Sequence, residues 1–235
     1  MIKKSILSIF LSAIFCYNTS YSGFHFSDGF LLQGSYSNQE QDDAKSDAFS
    51  LGVSYIGKME DSSLKNKSTN SDIYELSGFY NKINTDDDLN MNLLTIGLGY
   101  YTNHLRFGLS FETLVDFSGD ILSEANAQGL DIDMDSDSEI FSIGFYTEFE
   151  NDIDINKTSF KVTEIIFLDL MRVHVEMNVK TLMNGIALTD HTQNGNTTLM
   201  RIGASYKINN LIFSPLITAN EDKEMRYSIS LAIKL

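Results

Sequence analysis

The chain has 235 residues, with 17 Lys or Arg against 32 Asp or Glu, and its net charge is −15 at pH 7. Such a polyanion does not bind nucleic acid non-specifically, because that affinity comes from cationic side chains that neutralise phosphates. A hydrophobic share of 43% is too high for a disordered chain.

The first 22 residues have the three-part layout of a secretory signal peptide. Two lysines precede the apolar run from Ser5 to Phe15, and small side chains stand three residues and one residue before the expected cleavage site after Ser22. Cleavage there removes Cys16 and leaves one domain, from Gly23 to Leu235, without cysteine. No later stretch reaches the ~18 apolar residues of a membrane-spanning helix.

Alternation of apolar with small or polar residues is the main signal in this domain. Phe107, Leu109 and Phe111 share one face of their segment, and Gly108 and Ser110 share the other. Because successive side chains of a strand point to opposite faces, the pattern predicts a β-strand with one apolar face. The pattern recurs at residues 30–36, 49–55, 74–80, 94–100, 141–149, 171–180, 200–207, 211–218 and 226–235.

Ten antiparallel strands in an up-and-down barrel fit this series, and eight or twelve strands also fit. With ten, residues 158–180 form one long strand, or bend near Asp169. Pro215 has no N–H for a ladder, so we expect a bulge there. Tight turns are predicted at Asn103 and Asn209. Longer polar loops are predicted at residues 38–47, 85–90, 118–137, 182–197 and 220–224, with the unusually long spacer 58–71 on the other side.

The apolar face meets either lipid or a soluble core, since lipocalin-like barrels and sandwiches also alternate. Three features favour lipid. The other face is rich in Gly, Ser and Thr rather than Lys and Glu, the apolar stripe recurs in nearly every strand, and aromatic residues lie near strand ends.

The last strand, from Tyr227 to Leu235, resembles the closing strand of bacterial outer-membrane proteins, although it ends in Leu where those strands usually end in Phe. Together with the signal peptide and the strand rhythm, it makes the chain similar to small porin-like outer-membrane β-barrels of Gram-negative bacteria. The resemblance implies location in the cell outer membrane, contact with its lipid and lipopolysaccharide, and recognition by the barrel-assembly machinery. No particular family emerges.

Charged side chains on the non-apolar face are predicted to line the barrel interior. The candidates are Glu75, Arg106, Glu112, Glu148, Arg172, Glu176, Arg201 and Arg226. Side chains fill barrels of this size, so these charges form either a salt-bridge network or the wall of a narrow pore. We expect a small porin-like channel for ions or small solutes. The alternative is a non-conducting structural or surface-binding protein with acidic extracellular loops.

An enzyme is not expected. Asp190 and His191, with the aspartates at 86–88, resemble the Asp–His pair and paired aspartates of the ten-stranded omptin proteases. Adjacent residues of a strand point to opposite faces, so this pair converges only in an irregular loop.

No cofactor or metal site is expected either. Asp131, Asp133 and Asp135 have calcium-loop spacing, but an EF-hand needs Gly at its sixth position and Glu at its twelfth, where this chain has Ser136 and Ser142. Loose binding of divalent cations by the acidic loops, bridging to lipopolysaccharide, stands as a hypothesis.

Overall fold

A computed structural model describes residues 29–41, 44–59, 72–85, 89–102, 104–155, 158–221 and 224–235. The predicted signal peptide and most of the 58–71 spacer lie outside these ranges. The described residues form ten strands and one short helix. The strands are β1 (Gly29–Gln41), β2 (Ala44–Met59), β3 (Asp72–Thr85), β4 (Asn90–Thr102), β5 (Leu105–Ser118), β6 (Leu130–Ile155), β7 (Thr158–Met183), β8 (Ile186–Ile208), β9 (Leu211–Asn220) and β10 (Met225–Lys234), and helix α1 is Asp120–Ala127.

The sheet is a closed antiparallel barrel in which each strand pairs with its sequence neighbours and β1 pairs with β10. The ten-strand prediction is confirmed, and β7 is one continuous strand of 26 residues. Following paired residues once around the barrel leads from Asp137 to Phe149 on β6, a stagger of 12 residues, which is the difference between the two numbers. For ten strands this corresponds to a tilt of about 40°.

Three predicted loops are mostly strand or helix instead. In the loop predicted at 38–47, residues 38–41 belong to β1 and residues 44–47 to β2, and positions 42 and 43 lie outside the described residues. Most of residues 118–137 belongs to α1 and to β6, and residues 182–197 belong to β7 and β8. The two strands are joined by Asn184 and Gly185, whose φ angles are 51° and 77°. Positive φ at both central residues defines a type I′ turn, for which Asn-Gly is the preferred sequence. The predicted turn at Asn209 is present, and position 103 lies outside the described residues.

The chain does not bulge at Pro215. The ladder between β8 and β9 omits the pairs opposite Ser214 and Pro215, but its register is the same on both sides. The hydroxyl oxygens of Ser205 and Ser214 lie 2.8 Å apart and bridge the gap. The register shifts instead before Leu93, between β4 and β5, and before Leu182, between β7 and β8.

Three strands extend beyond their neighbours at one end of the barrel. This end is opposite the one that contains Gly29 and Lys234, and it is called the distal end. The β5–β6 ladder stops at Asp137, and the β8–β9 ladder starts at Leu199. Residues 130–139 of β6, 172–183 of β7 and 186–198 of β8 therefore form a sheet, the distal sheet, that projects beyond most of the rim. Helix α1 packs against β6.

Candidate functional site: the barrel interior

Asp169 lies at the centre of a buried ionic network inside the barrel. Arg201 donates to its carboxylate through Nε at 3.1 Å and also through a second guanidinium nitrogen. A guanidinium nitrogen of Arg106, from a non-adjacent strand, lies 3.5 Å from the same oxygen. All three side chains are at most 2% exposed. One carboxylate between two guanidinium groups thus ties together β5, β7 and β8.

The network continues from Arg106 to a second carboxylate. Tyr101 donates its hydroxyl proton to Glu75 at 2.6 Å, and Arg106 donates to the Tyr101 oxygen at 3.3 Å and to Ser142 at 3.1 Å. The guanidinium also stacks over the Tyr101 ring at 5.6 Å, which adds a cation–π contact. Glu75 and Asp169 balance the charges of the two arginines.

Gly144 makes room for this arrangement. Gly144 on β6 pairs with Asp169 on β7, and a Cβ built on the glycine would overlap a carboxylate oxygen of Asp169. A larger residue at 144 would push the carboxylate away from its arginines. The close approach explains why this position lacks a side chain.

Two clusters of buried apolar side chains fill the interior on either side of the polar layer. The cluster near the chain termini consists of Leu31, Ile56, Ile73, Tyr101, Ile165, Phe167, Ile212, Leu216 and Ala232. The distal cluster consists of Ala48, Ile83, Leu89, Met91, Leu93, Met134, Ile140, Met171, Val173, Val175, Met177 and Leu199. Because each cluster joins strands from opposite sides of the barrel, the polar layer is enclosed between two apolar layers.

Five of the eight predicted lumen residues are buried inside the barrel. They are Glu75, Arg106, Glu112, Arg201 and Arg226. Arg226 donates to Ser37 on the neighbouring strand. Glu148 is exposed, because β6 continues past Phe145, the last residue that it pairs with β5. Glu148 therefore does not line the enclosed interior.

The lumen assignment is wrong for Arg172 and Glu176, which are exposed on the outer face of the distal sheet. The alternation in β7 predicts an outward apolar face from Met171 to Val179, but the structure turns Met171 and Val173 inward, into the distal cluster. This part of β7 stands above the outer apolar band, and its outward residues, such as Arg172 and Glu176, are polar, as expected of a strand in water. A strand in water buries its apolar residues inside, which reverses the lipid-facing pattern.

Glu112 is the unusual member of the interior set. It is 3% exposed, and neither carboxylate oxygen has a hydrogen-bond partner among the residues that the structure describes. Burial of a charge without a partner is costly. Glu112 therefore weakens the interior, whereas the other buried charges described above are hydrogen-bonded.

An apolar band surrounds the outside of the barrel and is bordered by aromatic rings. On the side of the chain termini, Phe30, Tyr55 and Tyr74 form a row with ring centroids 5.0 and 6.2 Å apart. On the distal side, the Tyr36 and Phe49 centroids are 4.9 Å apart. Exposed aliphatic side chains lie between the two rows, and they include Leu32, Leu51, Val53, Leu76, Ile96, Leu98, Leu109, Ile229 and Leu231.

The band ends sharply where the distal sheet begins. Going up β7, the outward residues change from Leu168 and Leu170 to Arg172, and on β8 they change from Met200 to Thr198. Arg172 and Thr198 are paired in the ladder, so both strands leave the band at one level. The outer face above this level carries seven carboxylates, from Asp131, Asp133, Asp135, Asp137, Glu139, Glu176 and Asp190, against the two cations of Arg172 and Lys180.

The residues that resemble a protease site do not converge. Asp190 and His191 are consecutive in β8, so their side chains leave opposite faces of the sheet. The aspartates at 86–88 lie outside the described residues. Within the described part of the chain, no group of three or more His, Cys, Asp or Glu side chains is placed to hold a metal ion.

Asp169 and Tyr101 are the interior residues that sequence reasoning missed. The contact between Arg106 and Asp169 joins strands that are not sequence neighbours, and the contacts of Tyr101 with Glu75 and Arg106 depend on the register between strands, so no local spacing reveals them. One signal was available. Asp169 is a lone acidic residue inside the apolar run from Ile165 to Met171, and an isolated charge in such a run needs a buried partner.

No helix of the described residues is long and apolar enough to cross a membrane. No family model and no curated protein matches the chain. Among solved structures, the chain is similar to the β-domain of the Bordetella autotransporter BrkA, with a TM-score of 0.41, 8% identity, and coverage of 88% of this chain and 98% of that one.

The translocator domain of the autotransporter NalP from Neisseria meningitidis has a TM-score of 0.36 and 9% identity, with coverage of 99% and 98% of the two chains. Ail, the attachment invasion locus protein of Yersinia pestis, has a TM-score of 0.28 and 13% identity, with coverage of 88% and 98%. The structural neighbours are thus bacterial outer-membrane β-barrels, the class that the sequence resembles. The likeness concerns barrel architecture and assigns no activity to this chain.

Proposed function

We propose that the chain is an outer-membrane β-barrel that anchors the distal sheet at the cell surface and does not conduct. The outer apolar band supports membrane insertion, because a soluble barrel would expose polar residues where this one exposes Leu51, Ile96 and Leu231. The aromatic rows at both borders are typical of the two interfaces of a bilayer. Insertion with the chain termini in the periplasm puts the distal sheet outside the cell.

The observation that carries the non-conducting role is the layered interior. A conducting pore needs a continuous path lined by water and polar groups. Here two apolar layers enclose a polar layer whose central charges pair with each other at Asp169. The porin-like channel, which is the first expectation from the sequence, would need both apolar layers to open.

Single-channel recording in planar bilayers tests this proposal. The mature chain is first shown to insert by its heat-dependent mobility on a detergent gel. The native barrel and a Ser110→Tyr variant, with extra bulk in the interior, are then recorded under the same conditions. We expect no steady current from either. A steady current in the native barrel that falls in the Ser110→Tyr variant would establish a pore and refute the proposal.

The proposal includes no catalytic role. Its partners are the membrane lipid and lipopolysaccharide around the apolar band, and the assembly machinery that would recognise the closing strand β10. Depletion of that machinery in cells should leave the chain unfolded in the periplasm, which fractionation and proteolysis would detect.

A further inference from the structure

The distal sheet has one long open edge. Strand β8 pairs with β7 over its whole length, but its ladder with β9 begins only at Leu199. Among the described residues, no strand pairs with the other side of Ile186–Thr198. At about 3.3 Å per residue, these 13 residues present roughly 40 Å of unpaired backbone amides and carbonyls.

The opposite edge of the same sheet, formed by β6, is in contact with a helix. Residues 130–136 of β6 pair with β7 and have no strand partner on their other side among the described residues, but α1 packs against β6. Natural edge strands are usually protected by a covering element, by Lys or by Pro. Residues 186–198 contain no Lys, Arg or Pro and include four threonines, which favour strand structure. The edge is therefore both accessible and suited to accept another strand.

We propose that the β8 edge binds an extended, lysine- or arginine-rich segment of a protein outside the cell, which adds to the distal sheet as a further strand. The backbone ladder would supply affinity, as in other cases of strand addition. Charge supplies the selection, since the outer face of the sheet carries seven carboxylates, five of them on β6, against two cations. On β7 and β8 the acidic Glu176 and Asp190 are balanced by Arg172 and Lys180, and Lys180 pairs with Asp190. The attraction for a basic strand therefore comes from the excess charge of the whole outer face and not from one ion pair at the edge.

A second copy of the chain fits this edge poorly. Two barrels in one membrane stand with their axes parallel, and each strand is tilted by about 40° to its axis. Two β8 edges related by a twofold axis along the membrane normal would therefore cross rather than align. They would also bring Asp190 of one copy towards the same acidic face of the other.

Peptide binding to the folded barrel tests the proposal, which rests on the membrane placement proposed above. The probe is a ten-residue peptide of alternating Lys and Val with a fluorescent label, and binding is followed by anisotropy. One control peptide is methylated on every backbone nitrogen, which keeps the charge and removes the hydrogen bonds. A second control alternates Glu and Val.

We expect the basic peptide to bind and both control peptides to bind at least tenfold more weakly, because several ladder hydrogen bonds or all favourable charge contacts are lost. The variant Thr192→Lys/Asn194→Lys, which puts two cations on the open edge, should also bind the basic peptide about tenfold more weakly. Asn84→Lys/Asn92→Lys, which adds the same charge on β3 and β4, away from the distal sheet, should change binding less than twofold.

Equal binding of the methylated peptide would overturn the proposal in favour of simple charge attraction, and so would the absence of binding to a correctly inserted barrel. Failure of the mature chain to insert would contradict the proposed function instead. The heat-dependent gel mobility of the same sample separates these results.

Discussion

Replacement of Asp169 by Asn should destabilise the barrel strongly. Asn fills nearly the same volume, so no cavity is created, but Arg106 and Arg201 lose their shared anion. Both guanidinium groups are at most 2% exposed, so neither can turn to water. At an effective dielectric constant of about 20, the 3.5 Å contact with Arg106 alone corresponds to an interaction of roughly 5 kcal/mol. Removal of one partner of a buried ion pair typically costs about 3–5 kcal/mol, which is the loss expected in the free energy of unfolding.

The assay is urea unfolding of the barrel in lipid vesicles, followed by circular dichroism because the chain contains no Trp. Arg172→Gln is the matched control. Alternation places Arg172 in the lumen, whereas the structure exposes it, so the control should change stability by less than about 0.5 kcal/mol. The double variant Asp169→Asn/Arg201→Met removes one of the stranded cations and should recover part of the loss.

Two results would refute the reasoning. A cost below about 1 kcal/mol for Asp169→Asn would mean that the carboxylate is not a buried counter-ion. A larger cost for Arg172→Gln than for Asp169→Asn would mean that β7 faces the other way around.

Three further substitutions test other parts of the structure by the same unfolding assay. Gly144→Ala should cost at least about 2 kcal/mol through overpacking against the central aspartate, whereas Gly78→Ala, whose nearest neighbour would be 3.9 Å away, should cost less than about 1 kcal/mol; equal effects would contradict the close approach. Glu112→Met should raise stability by about 1–3 kcal/mol, because a buried group without a hydrogen-bond partner is replaced by an apolar one, and a loss would show that Glu112 has a partner. Ile229→Arg in the outer band should cost about 2–4 kcal/mol and Ile186→Arg in the distal sheet less than about 0.5 kcal/mol, so equal tolerance of the two substitutions would argue against lipid contact.

The ten strands were predictable because each crossing of the barrel carries its own alternation. The segments from Phe107 to Phe111 and from Leu94 to Leu98 both alternate apolar with small or polar residues. Each segment therefore predicts a strand by itself, before the pairing of the two strands is known. The Asn184–Gly185 turn was predictable in principle as well, since Asn-Gly is a strong hairpin signal. It lies in a stretch rich in Thr and Asn, whose polarity resembles that of a loop.

The interior network could not be derived in the same way. Arg106, Asp169 and Arg201 come from three strands, and their meeting depends on the stagger of the barrel, which no single segment encodes. The individual charges could be assigned to a face, but which charge pairs with which depends on strand number and register together. The lack of a partner for Glu112 follows from the same global geometry.

Strand β7 shows why alternation alone gives a face but not its direction. The inward residues have the same parity throughout and are apolar on both sides of Asp169, as at Phe167 and Met171. The outward residues change from Leu168 and Leu170 to Arg172, yet the strand remains regular throughout this region. What changes is the surrounding medium. Hydrocarbon outside the barrel favours apolar residues outside, and water outside favours them inside. The lone Asp169 lies close to this change and points to the interior, between the inward-facing Phe167 and Met171. A change of the outward residues from apolar to polar within one long strand is what we expect where a barrel strand leaves a membrane, and in this chain the change coincides with the boundary between the outer apolar band and the distal sheet.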